Sequence, residues 1–301
     1  LATGVNIFIT LFAALFIIIF CSLSIRAILN GEGTGTLFTS LPFFNPTESF
    51  SFVIAGASLL CFSFLGFDSA STFSEETKNP EKTIPRAIFI ITLVGGLVFI
   101  VVSYIAQNVW PDYTSFKDPD SASFEIIGLV GGTFLTSAFL AYTAIGIFGS
   151  AMASQASAAR VLYAMGRDGQ LPKKFFGHIH SKYHTPSNNI LLIGVLSLSA
   201  LVLSLSLVAS FINFGAFLAF TCVNISVIMH YFVRKRERSF KGYILFLIIP
   251  LIGAILDIIL LLNLDTHSKI LGGIWFAGGV IYLLFLTKGF KKRPPEMDLS
   301  A

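Results

Sequence analysis

Asp68 is the residue in this chain most able to do chemistry, and its setting says which chemistry. It follows the apolar run Cys61-Phe-Ser-Phe-Leu-Gly-Phe and precedes a charged stretch that begins at Glu75-Glu76. A carboxylate at that depth in an apolar segment costs at least ~2.5 kcal/mol on insertion scales, so its presence calls for a partner or a guest. Gly66 stands two residues before it and marks a place where a helix can break. The expected element is a helix broken in mid-membrane over Ser63, Phe64, Leu65, Gly66 and Phe67. The first half would end in bare carbonyls, which attract a cation, and the second would begin with N–H groups that Asp68 caps. Broken helices of this kind build substrate sites in secondary transporters. The competing reading is a glycine-containing helix kinked for packing and capped by Asp68.

Other groups with chemical potential are weaker candidates. Glu75 and Glu76 could form a carboxylate pair, but Lys78 and Lys82 nearby make a solvated helix end the better reading. His178, His180 and His184 have a metal-like spacing, yet no Cys or carboxylate completes a tetrahedral set. Cys21, Cys61 and Cys222 lie inside apolar runs and read as small buried hydrophobes. Asn213, Phe217, Thr221 and Asn224 share one face of a predicted helix, a face that interhelical hydrogen bonds or a substrate would use. Asp257 is a second acid in an apolar run and reads as part of a structural pair or a water-lined position. Small or polar residues at Thr136, Thr143, Gly146, Ser150, Ser154 and Ser157 form a stripe suited to close helix packing, with Tyr142 and Thr143 as a secondary site candidate. There is no Gly-rich phosphate loop, His-Glu-x-x-His or Gly-x-Ser-x-Gly, so neither an enzyme nor a phosphate-fuelled pump is indicated, and no cofactor is expected.

The elements that must position these residues are membrane helices. The chain is 54% hydrophobic and 12% charged, where a soluble domain carries roughly 25% charge. Eight segments are long enough to cross a bilayer: 5–23, 52–73, 87–109, 126–151, 190–208, 211–232, 243–264 and 270–286. Their length without strict alternation indicates an all-α polytopic protein rather than a barrel. Seventeen of the twenty basic residues fall in alternate loops and the C-terminal tail. By the positive-inside rule those loops and both chain ends are cytoplasmic, which fits an even span count. The net charge of +4 belongs to these loops and gives no reason to expect a nucleic-acid partner. The chain begins at Leu1, and its first apolar run makes a poor signal peptide, which reads as a piece of a longer protein.

Three runs carry a family resemblance. Phe62-Ser-Phe-Leu-Gly-Phe-Asp, with Glu75-Glu-Thr-Lys-Asn-Pro and Thr83-Ile-Pro-Arg-Ala-Ile, resembles the amino acid–polyamine–organocation (APC) transporters. So does Ala153-Ser-Gln-Ala-Ser-Ala-Ala-Arg-Val-Leu-Tyr-Ala-Met-Gly-Arg-Asp-Gly-Gln-Leu-Pro. Ile212-Asn-Phe-Gly-Ala-Phe-Leu-Ala-Phe-Thr looks most like the bacterial putrescine-importer branch. The resemblance implies a LeuT-like inverted-repeat fold in which the eight spans are family helices 5–12. Residues 1–301 would form one transmembrane domain, with 50–233 as the second five-helix repeat and 243–288 as two accessory helices.

By the same resemblance, Ser63 to Phe67 match the unwound segment whose carbonyls meet a substrate amine, and Phe64 matches an aromatic that stacks on or gates it. Asp68 matches a position that is acidic in some relatives with cationic substrates. Tyr142, Thr143 and Asn213 fall on site-lining helices. The first span lacks the intramembrane lysine that some relatives have. The implied protein is an inner-membrane permease importing a small cationic amine, putrescine or a related polyamine, by proton symport with alternating access. The alternatives are an amino acid permease or exchanger, and a membrane sensor or scaffold that carries nothing.

Overall fold

A computed structural model describes residues 2–44, 49–67, 70, 77–292 and 295. The described residues form ten α-helices and no strand. Six helical stretches are long and apolar enough to cross a membrane: Ile9–Leu29, Pro80–Val109, Pro119–Arg167, Leu205–Arg234, Phe240–Leu262 and Thr266–Leu286. Two shorter apolar helical stretches, Phe50–Phe64 and Ser187–Leu201, bring the apolar segments to the expected eight. Large side chains such as Phe134, Leu201 and Trp275 point outward and are more than three-quarters exposed. In water that surface would aggregate, whereas in lipid it is the solvent-facing side. The all-α polytopic reading therefore holds.

The two shorter stretches correct the expectation of eight full-length spans. The 52–73 run stops being α-helical after Leu60, for reasons given below, and part of its second half lies outside the described residues. The 190–208 run ends in a 3-10 turn at Leu198–Leu201, and a new helix starts at Leu205. Ser204 makes that division, because its hydroxyl accepts the Leu207 N–H as an N-cap. Hydropathy alone shows no such boundary, since the run stays apolar throughout.

The chain divides into two compact units, Leu1–Glu48 with Gly66–Ala151, and Ser49–Leu65 with Met152–Ala301. The first contains α1 (Ala2–Leu29), α3 (Pro80–Val109) and most of α4 (Ala122–Arg167). Its core is Phe20, Ile127 and Leu135, flanked by Phe16, Val102, Ala106 and Phe139. The described part of the loop after α1 is held by hydrogen bonds to α3. The Asn108 carbonyl accepts the Thr34 N–H at 2.9 Å, and the Tyr104 hydroxyl accepts the Thr39 N–H at 3.0 Å while Phe43 stacks on its ring. Gly33 must be glycine there: its φ is +61° and a Cβ would lie 2.1 Å from the Asn108 carbonyl oxygen. In α4 the backbone leaves helical geometry at Gly132 (φ 61°, ψ −165°), and the Thr136 hydroxyl bonds its carbonyl.

The second unit is built around α7 (Leu205–Val227). It packs against α2 (Phe50–Leu60), α9 (Ile249–Leu262) and α10 (Thr266–Leu286). Close approach depends on glycine: a Cβ at Gly272 of α10 would meet the Phe214 ring of α7 at 2.3 Å. Beyond the end of α4, α5 (Lys173–Phe176) and α6 (Ser187–Ser197) are tied by buried Asn189, whose Nδ2 donates to the Ala159 and Phe176 carbonyls. Between α7 and α9 lies α8 (Phe240–Tyr243), flanked by two π-helical stretches, Ile228–Arg234 and Ile244–Ile248. Tyr231 and Phe246 stack across these stretches at 4.6 Å.

Candidate functional site: a broken membrane helix

The α-helix that starts at Phe50 ends at Leu60, becomes a 3-10 turn at Cys61–Phe64 and then opens. Leu65 is extended (φ −63°, ψ 137°) and Gly66 has φ +109°. No L-residue holds that φ without strain, so Gly66 ends the helix by conformation. Space is not the reason, because a Cβ at Gly66 would meet nothing within 4 Å. The break begins at Cys61, slightly before the expected Ser63. Asp68 and the Glu75–Glu76 pair lie outside the described residues, so the expected cap on the second half has no geometry here.

Two carbonyls just before the break are held by a side chain. Asn213 on α7 is fully buried, and its Nδ2 donates to the Ser58 carbonyl at 2.8 Å and the Leu59 carbonyl at 3.0 Å. Leu65 N–H returns to the Phe62 carbonyl at 3.2 Å. Where a helix tightens from α to 3-10, the ladder slips and a carbonyl needs another donor, and Asn213 supplies it. Asn213 thus braces the break. On its own helix side, Ser58 is buried and its hydroxyl donates to the Ile54 carbonyl. Cys61, first residue of the turn, packs against Phe214, Phe217 and Leu264, together with Leu260 and Leu261.

The second polar residue of the same α7 face also binds a neighbour. Asn224 Nδ2 donates to Asp257 Oδ2 on α9 at 3.1 Å, a pairing that is one of the two readings the sequence offers for Asp257. Gly253, one turn earlier on α9, leaves room for it, since a Cβ there would lie 2.9 Å from Asn224 Nδ2.

Tyr142 and Thr143 belong to the first unit. The Tyr142 ring sits 5.5 Å from that of Phe12 and 6.2 Å from that of Phe16. It helps line an apolar cavity of about 340 Å³ with Ile9, Phe12, Ala138, Ala141, Ile145 and Gly146. Thr143 turns its hydroxyl back to the Phe139 carbonyl at 2.8 Å. Within that unit the stripe position Gly146 has no atom within 4 Å of where its Cβ would be, so the packing partner expected there is not among the described residues. His180 Nδ1 accepts the Lys182 N–H at 3.2 Å, which gives the histidine loop a turn-capping role.

One cluster was not foreseen. A cavity of about 500 Å³ in the second unit is lined by Ala55 and Leu59 of α2 and by Ser204, Ser206, Ser210, Asn263, Asp265 and His267. Asp265 N-caps α10, its Oδ1 accepting the Ser268 N–H at 2.8 Å. Burial alone would push its carboxyl up. Hydrogen bonds from Ser268, Ser210 and the His267 N–H outweigh this and hold it below the usual carboxylate value. The signal was present in Asp265-Thr-His-Ser, an N-cap pattern placed just before an apolar run.

Comparison with known proteins agrees with this architecture. The amino acid permease family model matches residues 1–286. The low-affinity putrescine importer PlaP of Escherichia coli K12 is 41% identical over 97% of this chain and 65% of its own length. The probable low-affinity putrescine importer PlaP of Klebsiella pneumoniae is 38% identical over 64% of this chain and 98% of its own. The methylthioribose transporter of Bacillus subtilis is 31% identical over 78% of this chain and 51% of its own. The chain thus spans just under two thirds of the length of the Escherichia coli protein it matches. With eight apolar helical segments among the described residues, one of them broken at a glycine, and a family match over almost its whole length, the chain belongs to the amino acid permease family.

Proposed function

We propose that this chain is the part of a bacterial inner-membrane permease that holds the broken helix of the substrate site, and that the substrate is a small cationic amine, putrescine or a close polyamine relative. The observation that carries this reading is the interruption at Leu65–Gly66 inside an apolar helix. A helix gives up backbone hydrogen bonds in lipid only where protein or a polar guest replaces them. On this reading the backbone from Ser63 to Phe67 meets an ammonium group, Phe64 closes over it, and Asp68 supplies the opposing charge. Asn213 acts as the brace of the site rather than as a ligand. Tyr142 and Thr143 remain candidates by family resemblance alone.

Import of a divalent amine is favoured by ~4.6 kcal/mol per 100 mV of inward-negative potential, twice the value for one charge. Proton symport with alternating access completes the proposal. Both chain ends are cytoplasmic in it, since the alternate loops carry the basic residues. The test is uptake of radiolabelled putrescine by the native protein in cells lacking their own importers, with Asp68→Asn beside it. The reading expects saturable uptake that the variant reduces at least about tenfold, the equivalent of one lost charge-assisted contact. Unchanged uptake in the variant removes Asp68 from the site. The match to the amino acid permease family supports a second reading, transport or exchange of an amino acid. Competition of diamines against amino acids for uptake separates the two.

A further inference from the structure

Asp257 has no role in the substrate site described above. It lies inside α9, five residues before the helix end at Leu262. Among the described residues no basic group pairs with it, and its hydrogen-bond partner is the neutral amide of Asn224. A carboxylate in a membrane span with only an amide partner is costly when charged and much less so when protonated. Its surroundings tie it to the break. α9 packs on α2, whose end becomes the 3-10 turn at Cys61. Cys61 packs on the same Phe214, Phe217 and Leu264 cluster as Leu260 and Leu261, which stand in the helical turn after Asp257. On α7, Asn224 and Asn213 lie about three turns apart on one face. One amide holds Asp257 and the other holds the carbonyls at the end of α2.

We infer that Asp257 carries the coupling proton and that the broken helix senses its charge through Asn224, α7 and Asn213. The inference rests on the proposed proton-coupled import and assigns its titrating group. In the step, hydronium gives a proton to one carboxylate oxygen; an O–H bond forms, water leaves and the negative charge is lost. Neutral Asp257 attracts the Asn224 N–H less strongly, so the tie between α9 and α7 loosens beside the break. Release of the proton to water on the other side restores the charge and the tie. Among the described residues near α9, Cys61 is the titratable group at the end of α2, and Lys269 reaches the end of α9, where its Nζ donates to the Leu262 carbonyl at 2.9 Å. Cys222 on α7 is exposed, and His230, Tyr231 and Arg234 lie more than a turn beyond Asn224 along α7 and its π-helical extension. Lys241 and Tyr243 lie several turns before Asp257.

The experiment compares two fluxes in membrane vesicles holding the native protein: putrescine accumulation driven by a pH gradient, measured across external pH, and putrescine counterflow without a gradient. For Asp257→Asn we expect accumulation to fall at least about tenfold and lose its pH dependence, while counterflow stays within about twofold, the pattern of lost coupling. Asp257→Glu should keep accumulation with a shifted pH midpoint. Asp257→Asn accumulating putrescine with the wild-type pH profile overturns the inference. So does loss of both fluxes in both variants when each is present in the membrane at the wild-type level, which makes Asp257 structural. A wild-type protein that exchanges putrescine but accumulates it independently of pH refutes proton coupling and the inference with it. A wild-type protein with no putrescine flux refutes instead the function proposed above.

Discussion

Gly66 and Asn213 make the break from opposite sides: one provides a conformation, the other a hydrogen-bond donor. Gly66→Ala places a Cβ on a backbone with φ +109°, a strain of about 1–3 kcal/mol. With open space around that Cβ, the variant is expected to fold and reach the membrane yet lose most putrescine uptake, measured against its surface level. Asn213→Leu removes the donor that the Ser58 and Leu59 carbonyls use. Losing these hydrogen bonds costs on the order of 1 kcal/mol each. The detergent-solubilised variant should therefore melt several degrees lower, and a thermal melt checks it.

Asp265 gives a pH prediction. Its folded value lies below the ordinary carboxylate value. It therefore adds stability above its unfolded pKa, and this is lost as pH falls toward the folded value. Asp265→Ala should melt lower at neutral pH, by the ~0.5–2 kcal/mol of an N-cap. The gap to wild type should narrow as the solution is acidified, and melting curves across that range test it. At this scale Gly66 was legible because glycine is the residue that takes a φ near +109° without strain. The role of Asn213 was half legible: its helix face was readable in the sequence, but not which carbonyls it would meet.

Among the elements, hydropathy located every apolar segment, yet the segments differ from eight equal rods. Uniform apolarity hid the Leu198–Leu201 turn and the Ser204 cap, because the sequence changes neither charge nor mean hydropathy there. α1 runs past the predicted end at 23 to Leu29, since Arg26 in its last turn complements the carbonyl end of the helix dipole. The facing π-helical stretches at Ile228–Arg234 and Ile244–Ile248 were not foreseen from the sequence. Packing of α10 on α7 depends on a missing side chain. Gly272→Val would drive its Cβ into Phe214, an overpacking cost of about 1–3 kcal/mol. Reduced expression and a lower melting temperature are the expected result, with Gly273→Ala as the control, where no atom lies within 4 Å.

For the whole molecule, membership in the permease family and the outward apolar surface make it a multi-pass membrane protein. The charge pattern of the loops adds a topology that can be checked. Single cysteines introduced in the acidic loop after α3, such as Ser115→Cys, should react with an impermeant thiol reagent added outside intact cells. Lys235→Cys, in the basic loop after α7, should react only after the cells are opened. The opposite pattern would invert the proposed orientation.

The central claim is that the opened backbone beside Gly66 receives the amine. Its most direct measurement is substrate protection at Ser63→Cys, with Cys21, Cys61 and Cys222 replaced by alanine in the native protein. The account predicts that saturating putrescine slows modification of this cysteine several-fold in membranes that still transport it, while a cysteine at Ser154 is unaffected. Modification of Ser63→Cys at the same rate with and without putrescine, in a protein that still carries putrescine, would contradict it.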